Sequence, residues 1–474
     1  MPPAPALAAL WTALGLPTDA LEDVRLTGQD PVLPSSFAVG TAAQVAIAAA
    51  GLASATLHRL RTGTRQTVGV DMRHAATEFH SEEWQTLDGA PMADRWDAIA
   101  GLYPCGDGRW VRLHTNFPHH RDGVLRLLGC AYDRTAVAAA LQAWSAFDFE
   151  DAAAAAGLCV TAQRSFAEWD AHPQGQAVQA EPLVAITKIG EAPPEPLPPA
   201  DRPLSGVREL DLTRVLAGPV CGRTLAAHGA EVLLITGPHL YNPQPLTIDT
   251  GRGKRSAQLD LRTDAGRATL RALLQGADLF VQGYRPGALA AHGFSAEAAA
   301  QLRPGIVCGS ICAWGFTGPW SARRGFDSLV QTASGFNTAE AEAAGEAEAA
   351  GETKPKPLPV QALDHASGYL LAAGTLAALY RRATIGGSWH VQVSLARTGH
   401  WIRSLGRIPN GLACPPPTRT NIADLTETQT SGFGQLRSIR HAATLSATPA
   451  AWTRPSVPPG ADPPAWEGGM GPRK

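Results

Sequence analysis

Residues 209–235 read ELDLTRVLAGPVCGRTLAAHGAEVLLI. The run from Glu209 to Val215 predicts a strand, Ala217-Gly218-Pro219 a turn into a helix ending at Gly229, and Glu231 to Ile235 a second strand. The same rhythm continues downstream: strand Ser256 to Leu261, helix from about Asp264 to Leu274, strand Asp278 to Gln282, a helix opened by Ser295, strand Ile306 to Ala313, a glycine-rich loop, and a helix near Phe326. Strands alternating with helices at this spacing predict an α/β fold, a doubly wound, Rossmann-like, mostly parallel sheet. Such sheets bind ligands beyond the carboxyl ends of their strands, which singles out Arg214 to Pro219, Gly283 to Gly287 and Trp314 to Phe326. Cys308 and Cys312, four apart in a strand, share a face and read as core packing rather than metal ligation.

Further on, residues 359–382 read PVQALDHASGYLLAAGTLAALYRR. Prolines 355, 357 and 359 exclude helix upstream, and the Leu, Ala and Gly run after Ser367 predicts one closely packed helix. Asp364 is therefore expected at or just before its first turn. Two roles are open to it there. It can cap the helix, accepting from orphan amides at the positive end of the dipole, or the same amides can hold it ionised at the mouth of a cleft as a nucleophile.

This helix has an earlier counterpart. Residues Ala38 to Leu60 are an alanine-rich helical run, followed by a turn and a strand of alternating valines. Setting Gly51 on Gly374 (374 − 51 = 323) aligns Ala55 with Ala378, Arg59 with Arg382, Gly63 with Gly386, Val68 with Val391 and Val70 with Val393 without a gap. That is an internal duplication of helix, turn and strand. Asp364 falls on Thr41, so any chemistry of the carboxylate is lost in the first copy.

Between Asp94 and Cys130, two strands around Gly106-Asp107-Gly108 predict a hairpin, followed by a helix. Helical segments and an extended stretch to about Ile189 complete a small α+β unit. His114, His119 and His120 lie here, but no fourth ligand of suitable spacing follows, so no metal site is assigned. The chain divides into an N-terminal segment (1–36), a degenerate repeat (37–80), the small α+β domain (81–191), a Pro-rich linker (192–205), the Rossmann-like domain (206–402) and a C-terminal tail (403–474). Residues 339–357 are low-complexity and read as a mobile surface excursion.

The 474 residues carry a formal charge of −2, with 45% hydrophobic and 17% charged side chains, a globular composition that suggests neither nucleic acid nor an anionic membrane as partner. The longest apolar runs, Ala42 to Leu57 and Gly368 to Tyr380, fall short of the roughly 18 residues of a membrane span. No basic residue precedes Arg25, unlike a secretory signal, and seven cysteines without paired CxxC blocks suggest reduced thiols in a cytoplasmic protein.

Several blocks together resemble the class III CoA-transferases, the formyl-CoA and carnitine CoA-transferase family that includes the α-methylacyl-CoA racemases. They are residues 211–233, residues 251–289, TGPW (317–320), GFDSLVQTASG (325–335) and ALDHASGYLLAAGTLAALYRR (362–382). The resemblance covers about residues 206–400. It implies that Asp364 is a nucleophile attacking an acyl-CoA thioester, that coenzyme A is a substrate with no other cofactor, and that a carboxylic acid is the second substrate. It further implies that Val215, Leu216, Ala217 and Gly218 approach the nucleotide, that Lys254, Arg255 and Arg285 pair with phosphates, and that Tyr284 lies beside the adenine. Asp327 is an accessory candidate that orients the site or caps a helix. Family dimers interlock, which implies a homodimer or, given the duplication, an interlocking pseudo-dimer within one chain.

The sequence departs from the family at informative points. Phe326 stands where the racemase branch carries an acid/base histidine, and a phenyl ring moves no proton, so racemisation is the weaker alternative. The covering Gly-rich loop is not visible, and the small unit precedes the catalytic half instead of following it. A noncatalytic CoA-binding protein is the third reading.

Overall fold

The computed structural model describes residues 1–94, 96–345 and 354–468. Seven strands share its central sheet: β1 (Ala185–Gly190), β2 (Arg208–Leu212), β3 (Glu231–Thr236), β4 (Lys254–Gln258), β5 (Leu279–Gln282), β6 (Val307–Cys312) and β7 (Ser388–Ser394). They lie in the order β4-β3-β2-β5-β6-β7-β1, and every neighbouring pair is parallel except β7 with β1. Four helices matter for the site: α1 (Val39–Thr62), α2 (Ala217–Ala227), α3 (Asp327–Ala333) and α4 (Ala362–Ile385).

Central strands β2, β5 and β6 are buried at nearly every position, as a sheet covered on both faces requires. Along β5, Leu279 and Val281 join a core with α1, α2 and α4, while Phe280 between them joins a second core with Leu270, Leu273 and Leu274. Period two makes this alternation unavoidable. β2 stops at Leu212, short of the expected Val215, because the Asp211 carboxylate accepts from the Thr213 backbone N–H (2.9 Å) and hydroxyl, turning the chain out of the ladder. Helix α2 then starts so close to that turn that a Cβ at Gly218 would stand 2.5 Å from Thr213 Cβ. Glycine is required there.

The small unit contains the expected hairpin, Gly101–Pro104 with Trp110–Leu113, plus a third strand, Val160–Ala162. Three expectations need correction. The extended stretch to Ile189 is β1, the antiparallel edge of the main sheet, rather than part of the small unit. The excursion at 339–357 begins inside a helix, Phe336–Ala343, whose Glu340 is 1% exposed and accepts from the Ser36 amide (3.1 Å) and hydroxyl (2.8 Å); residues 346–353 lie outside the described residues. The C-terminal segment builds a hairpin, Thr426–Ser431 with Gly434–Ile439, and adds strand Ala443–Leu445 beside Val68–Asp71.

The two aligned segments share geometry at the offset of 323. Helix α1 spans 39–62 and α4 362–385, so both termini correspond. The residues preceding them, Ala38 (φ −77°, ψ 57°) and Gln361 (φ −76°, ψ 64°), have nearly the same backbone. Gly63 and Gly386 follow the helices at φ 76° and 74°. A Cβ at Gly51 would meet Val68 Cγ1 at 3.2 Å, and one at Gly374 would meet Val391 Cγ1 at 2.6 Å. The following strands end at Asp71 and Ser394, whose side chains accept from the amides of His74 (3.1 Å) and Arg397 (3.3 Å). Helices α1 and α4 pack against each other. Longer as a helix than its apolar run suggested, α1 has the length and hydropathy of a membrane span, yet its most apolar window is wholly buried inside the protein.

A Gly374→Val variant should lose about 2 to 3 kcal/mol of stability through overpacking against Val391. Gly63→Ala, where only the positive φ opposes a side chain, should cost about 1 kcal/mol. Urea denaturation at constant m-value measures both.

Candidate active site

Helix α4 begins at Ala362, which makes Asp364 its third residue, in the first turn as the sequence suggested. The orphan amides that could have bound its carboxylate are taken by another. Asp327, fully buried at the start of α3, accepts through Oδ2 from the backbone N–H of Leu363 (2.8 Å) and of Asp364 itself (2.9 Å). The expectation that these amides hold Asp364 ionised is therefore corrected: they are spent on Asp327, and Asp364 is not a cap. Oδ1 of Asp327 accepts from Gln331 Nε2, and Gln331 Oε1 accepts from the Leu358 amide at 2.9 Å, which ties down the chain entering α4.

The earlier aligned segment has the same clamp. Asp30 Oδ2 accepts from the backbone N–H of Thr41 (2.9 Å) and from its hydroxyl (2.7 Å), and Thr41 is the counterpart of Asp364 at offset 323. The position is held in both segments, but the side chain there is Thr in one and Asp in the other.

Asp364 is 8% exposed and lines two spaces. The larger, about 350 Å³, lies beyond the carboxyl ends of β2, β5 and β6 and is walled by Val215 to Gly218, Gly283 to Arg285, Ile311 to Ala313 and Arg324 to Phe326. All but Ile311 to Ala313, at the end of β6, come from the three loops singled out in the sequence. The smaller, about 30 Å³, is bounded by Trp96, His114, Phe117, Leu216, Leu246 and Phe326 among others. Close packing sets this geometry: a Cβ at Gly368 in α4 would stand 2.5 Å from the Ala217 carbonyl oxygen and 2.7 Å from Val220 Cβ. Val215 lines both spaces at φ +74°, a strained conformation for a β-branched residue that locates backbone strain at the site.

Of the other predicted contacts, Tyr284 and exposed Arg285 face the larger cavity. Lys254 and Arg255 do not, and their assignment to phosphates is corrected. Lys254, 2% exposed, donates to Asp211 Oδ2 (2.7 Å) and the Pro219 carbonyl (2.8 Å). Arg255, 7% exposed, donates to the Ala465 carbonyl (2.6 Å), with Asp462 at 3.5 Å, because the C-terminal segment covers the end of β4. Both cations are consumed by structure.

Two cationic groups absent from the site prediction take their place. Arg214 and Arg324 line the cavity, Arg214 leaning on the Phe117 ring at 5.5 Å and Arg324 donating to the Gly157 carbonyl at 2.6 Å. Both fall within the loops named from the sequence, which was the available signal. Phe117, His119 and His120 reach in from the small unit, a docking that local pattern does not encode. Burial pushes the His120 imidazole down to about 3, so it is neutral near pH 7. Cys312 also lines the cavity, but burial pushes its thiol up, so it stays protonated near pH 7. Phe326 stacks on His114 with ring centroids 3.8 Å apart. Behind Asp364, fully buried His365 Nε2 and Glu82 Oε2 lie 3.0 Å apart, and Phe79 stacks on His365 at 5.4 Å, so Phe79 and Glu82 brace α4. Among the described residues no group of three or more His, Cys, Asp or Glu is placed to hold a metal ion.

An ionisable acid beside a cationic cleft at the ends of parallel strands is the arrangement of a group-transfer enzyme with an anionic carrier. The sequence model of CoA-transferase family III matches residues 23–194 and 204–406, and the chain belongs to that family. It is similar to an acyl-CoA transferase of Gibberella moniliformis, 28% identical over 420 residues that cover 79% of this chain and 72% of that protein. It is also similar to an acetyl-coenzyme A transferase of Hypoxylon pulicicidum, 34% identical over 210 residues, 43% of this chain and 34% of that protein. A crystal structure of a hypothetical protein from Mycobacterium tuberculosis is 30% identical with a TM-score of 0.39 over 45% of this chain and 58% of that one. The chain thus spans a third to under two thirds of the length of the latter two.

Asp327 supplies a pH test of this clamp. Burial, opposed by its hydrogen bonds to Asp364, Gln331 and Leu363, raises its carboxyl from 3.8 to about 6. The folded state therefore binds the extra proton between those values, and stability falls as pH rises from about 4 to about 6. The gap corresponds to about 3 kcal/mol. Asp327→Asn cannot titrate, so the variant's stability relative to wild type should rise by about that amount between pH 4 and pH 7, read from denaturation midpoints.

Proposed function

We propose that the chain transfers coenzyme A between an acyl-CoA thioester and a carboxylic acid, with Asp364 as the nucleophile. The observation that carries this reading is a carboxylate shared by both spaces, one large and cationic, the other small and mostly apolar. In the first step an Asp364 Oδ attacks the thioester carbonyl carbon, the C–S bond breaks, and CoA leaves as thiolate, forming a mixed anhydride. The thiolate then attacks the aspartyl carbonyl carbon, releasing the donor acid as carboxylate and leaving an aspartyl-CoA thioester. The acceptor carboxylate repeats the sequence in reverse, ending with the new thioester and free Asp364. A covalent route of this kind divides one difficult exchange into easier steps.

In this reading the larger cavity holds the CoA arm, with the Val215 to Gly218 turn close to it and Tyr284 beside the adenine. Arg285, Arg214 and Arg324 supply charge for phosphates in place of Lys254 and Arg255. Phe326, packed on His114, offers no proton, which disfavours α-methylacyl-CoA racemisation. Asp364→Asn should lower turnover of a donor–acceptor pair by at least about a thousandfold, equivalent to about 4 kcal/mol of barrier. Undiminished exchange in the folded variant would falsify the assignment, and deuterium uptake at the acyl α-carbon would favour the racemase.

We further infer that the doubly wound half and the first copy form a pseudo-dimer within one chain. Support comes from the shared helix limits, caps, glycine contacts and clamping aspartates, and from the packing of α1 on α4. The N-terminal half then supplies in cis what a second subunit supplies in an interlocked dimer. Light scattering should give the mass of one 49.7 kDa chain, whereas a stable two-chain species would point to retained interlocking.

A further inference from the structure

Arg285 lines the larger cavity and also a third space of about 280 Å³. Phe280 and Cys308 line this third space and belong to the second core, so it opens on the face of the sheet away from α4. Gln282 and Ser310 lie two residues further along β5 and β6, which puts them on that same face. The strand register sets Gln282 opposite Ser310, and sets His390 of β7 opposite Cys308. Three polar side chains from adjacent strands therefore meet in a row. Gln282 Nε2 is 2.9 Å from Ser310 Oγ, and Ser310 Oγ is 2.9 Å from His390 Nε2.

The row has a fixed direction. At one end the Tyr284 backbone N–H donates to Gln282 Oε1 at 2.9 Å. A backbone amide can only donate, so the Gln282 carbonyl faces Tyr284 and its amide nitrogen faces Ser310. Ser310 Oγ accepts from that nitrogen, and among the described residues its remaining partner is His390. The serine proton therefore goes to His390 Nε2, which leaves the imidazole neutral and protonated at Nδ1. Burial holds His390 below its usual value, while the Glu297 carboxylate, on the helix opened by Ser295, acts the other way.

The loop after β5 depends on this row. Its first residue is fixed by packing: a Cβ at Gly283 would stand 3.3 Å from Ile311 Cγ2, and the Gly283 N–H reaches the Leu212 carbonyl at 3.3 Å. Further on, the Ala288 amide closes on the Arg285 carbonyl at 2.9 Å. Between these points Tyr284 is held by the Gln282 side chain. Arg285 is exposed and forms no ion pair among the described residues, so its backbone sets where its charge stands.

We propose that His390 and Ser310 are positioning residues for coenzyme A: acting through Gln282, they hold the Tyr284 amide and so aim Tyr284 and Arg285 at the larger cavity. This rests on the reading of that cavity as the CoA site, and not on the role of Asp364. Neither His390 nor Ser310 lines the cavity itself.

The test is calorimetric titration of the full chain with free coenzyme A, which has no acyl group to transfer. Ser310→Ala, Gln282→Met and His390→Leu should each raise the dissociation constant about 2- to 10-fold, the value of one lost hydrogen bond. Ser310→Thr and His390→Gln, which keep the hydroxyl and an acceptor for it, should stay within about twofold of wild type, a recovery that packing alone does not give. In the wild type, long-range proton–nitrogen NMR of the imidazoles should show the signal lost in His390→Gln as the Nδ1–H tautomer. An Nε2–H tautomer overturns the inference. So do affinities unchanged in the three disruptive variants while Arg285→Ala weakens binding, a result that leaves the cavity reading intact. Wild-type affinity in Arg285→Ala as well, or no binding by the wild type, overturns both.

Discussion

The contact on which the site depends is the pair of hydrogen bonds from the amides of Leu363 and Asp364 to the buried carboxylate of Asp327. A helix leaves its first amides unsatisfied, and α4 has no side-chain cap of its own at Gln361. Asp327 supplies the missing acceptor from a segment 37 positions upstream (364 − 327), fixing where α4 begins and the height at which Asp364 projects. Because those amides are occupied by Asp327, the start of α4 is capped from another segment and not by Asp364 itself. The cost is an anion in a dry environment, visible as the raised proton affinity of Asp327.

Asp30 and Thr41 repeat the clamp in α1. A carboxylate holding the third amide of a long buried helix is thus a structural device of this chain in both places, separable from the chemistry of the residue held. The separation explains why a capping role and a catalytic role were both open for Asp364 from sequence: an aspartate is in fact the cap, but it is a different aspartate. The second half of each unit follows the same logic, with glycine admitting a valine-bearing strand against the helix.

Much of the main sheet was legible because apolar runs such as Val232 to Ile235 and Leu279 to Val281 alternate with helical segments and the connecting turns carry glycine at tight approaches, as at Gly218. The loops around the larger cavity were legible for the same reason. Long-range contacts were not. Lys254 and Arg255 read as free cations because nothing local announces that Asp211 and the chain near residue 465 will neutralise and bury them. β1 read as part of the small unit because its partner, β7, lies some 200 residues later (388 − 190 = 198). Trp96, His114 and Phe117 had no local signal at all, since their place at the site depends on how the small unit docks. Asp327 was named, but its reach across to α4 was invisible.

Asp364 is thus placed between a cleft lined by Arg214, Arg285 and Arg324 and a compact, mostly apolar space. The most direct measurement is peptide mass spectrometry after incubating the chain with acyl-CoA in the presence of hydroxylamine. A hydroxamate on the peptide containing Asp364 is the predicted result, and thioester consumption that leaves Asp364 unmodified contradicts it.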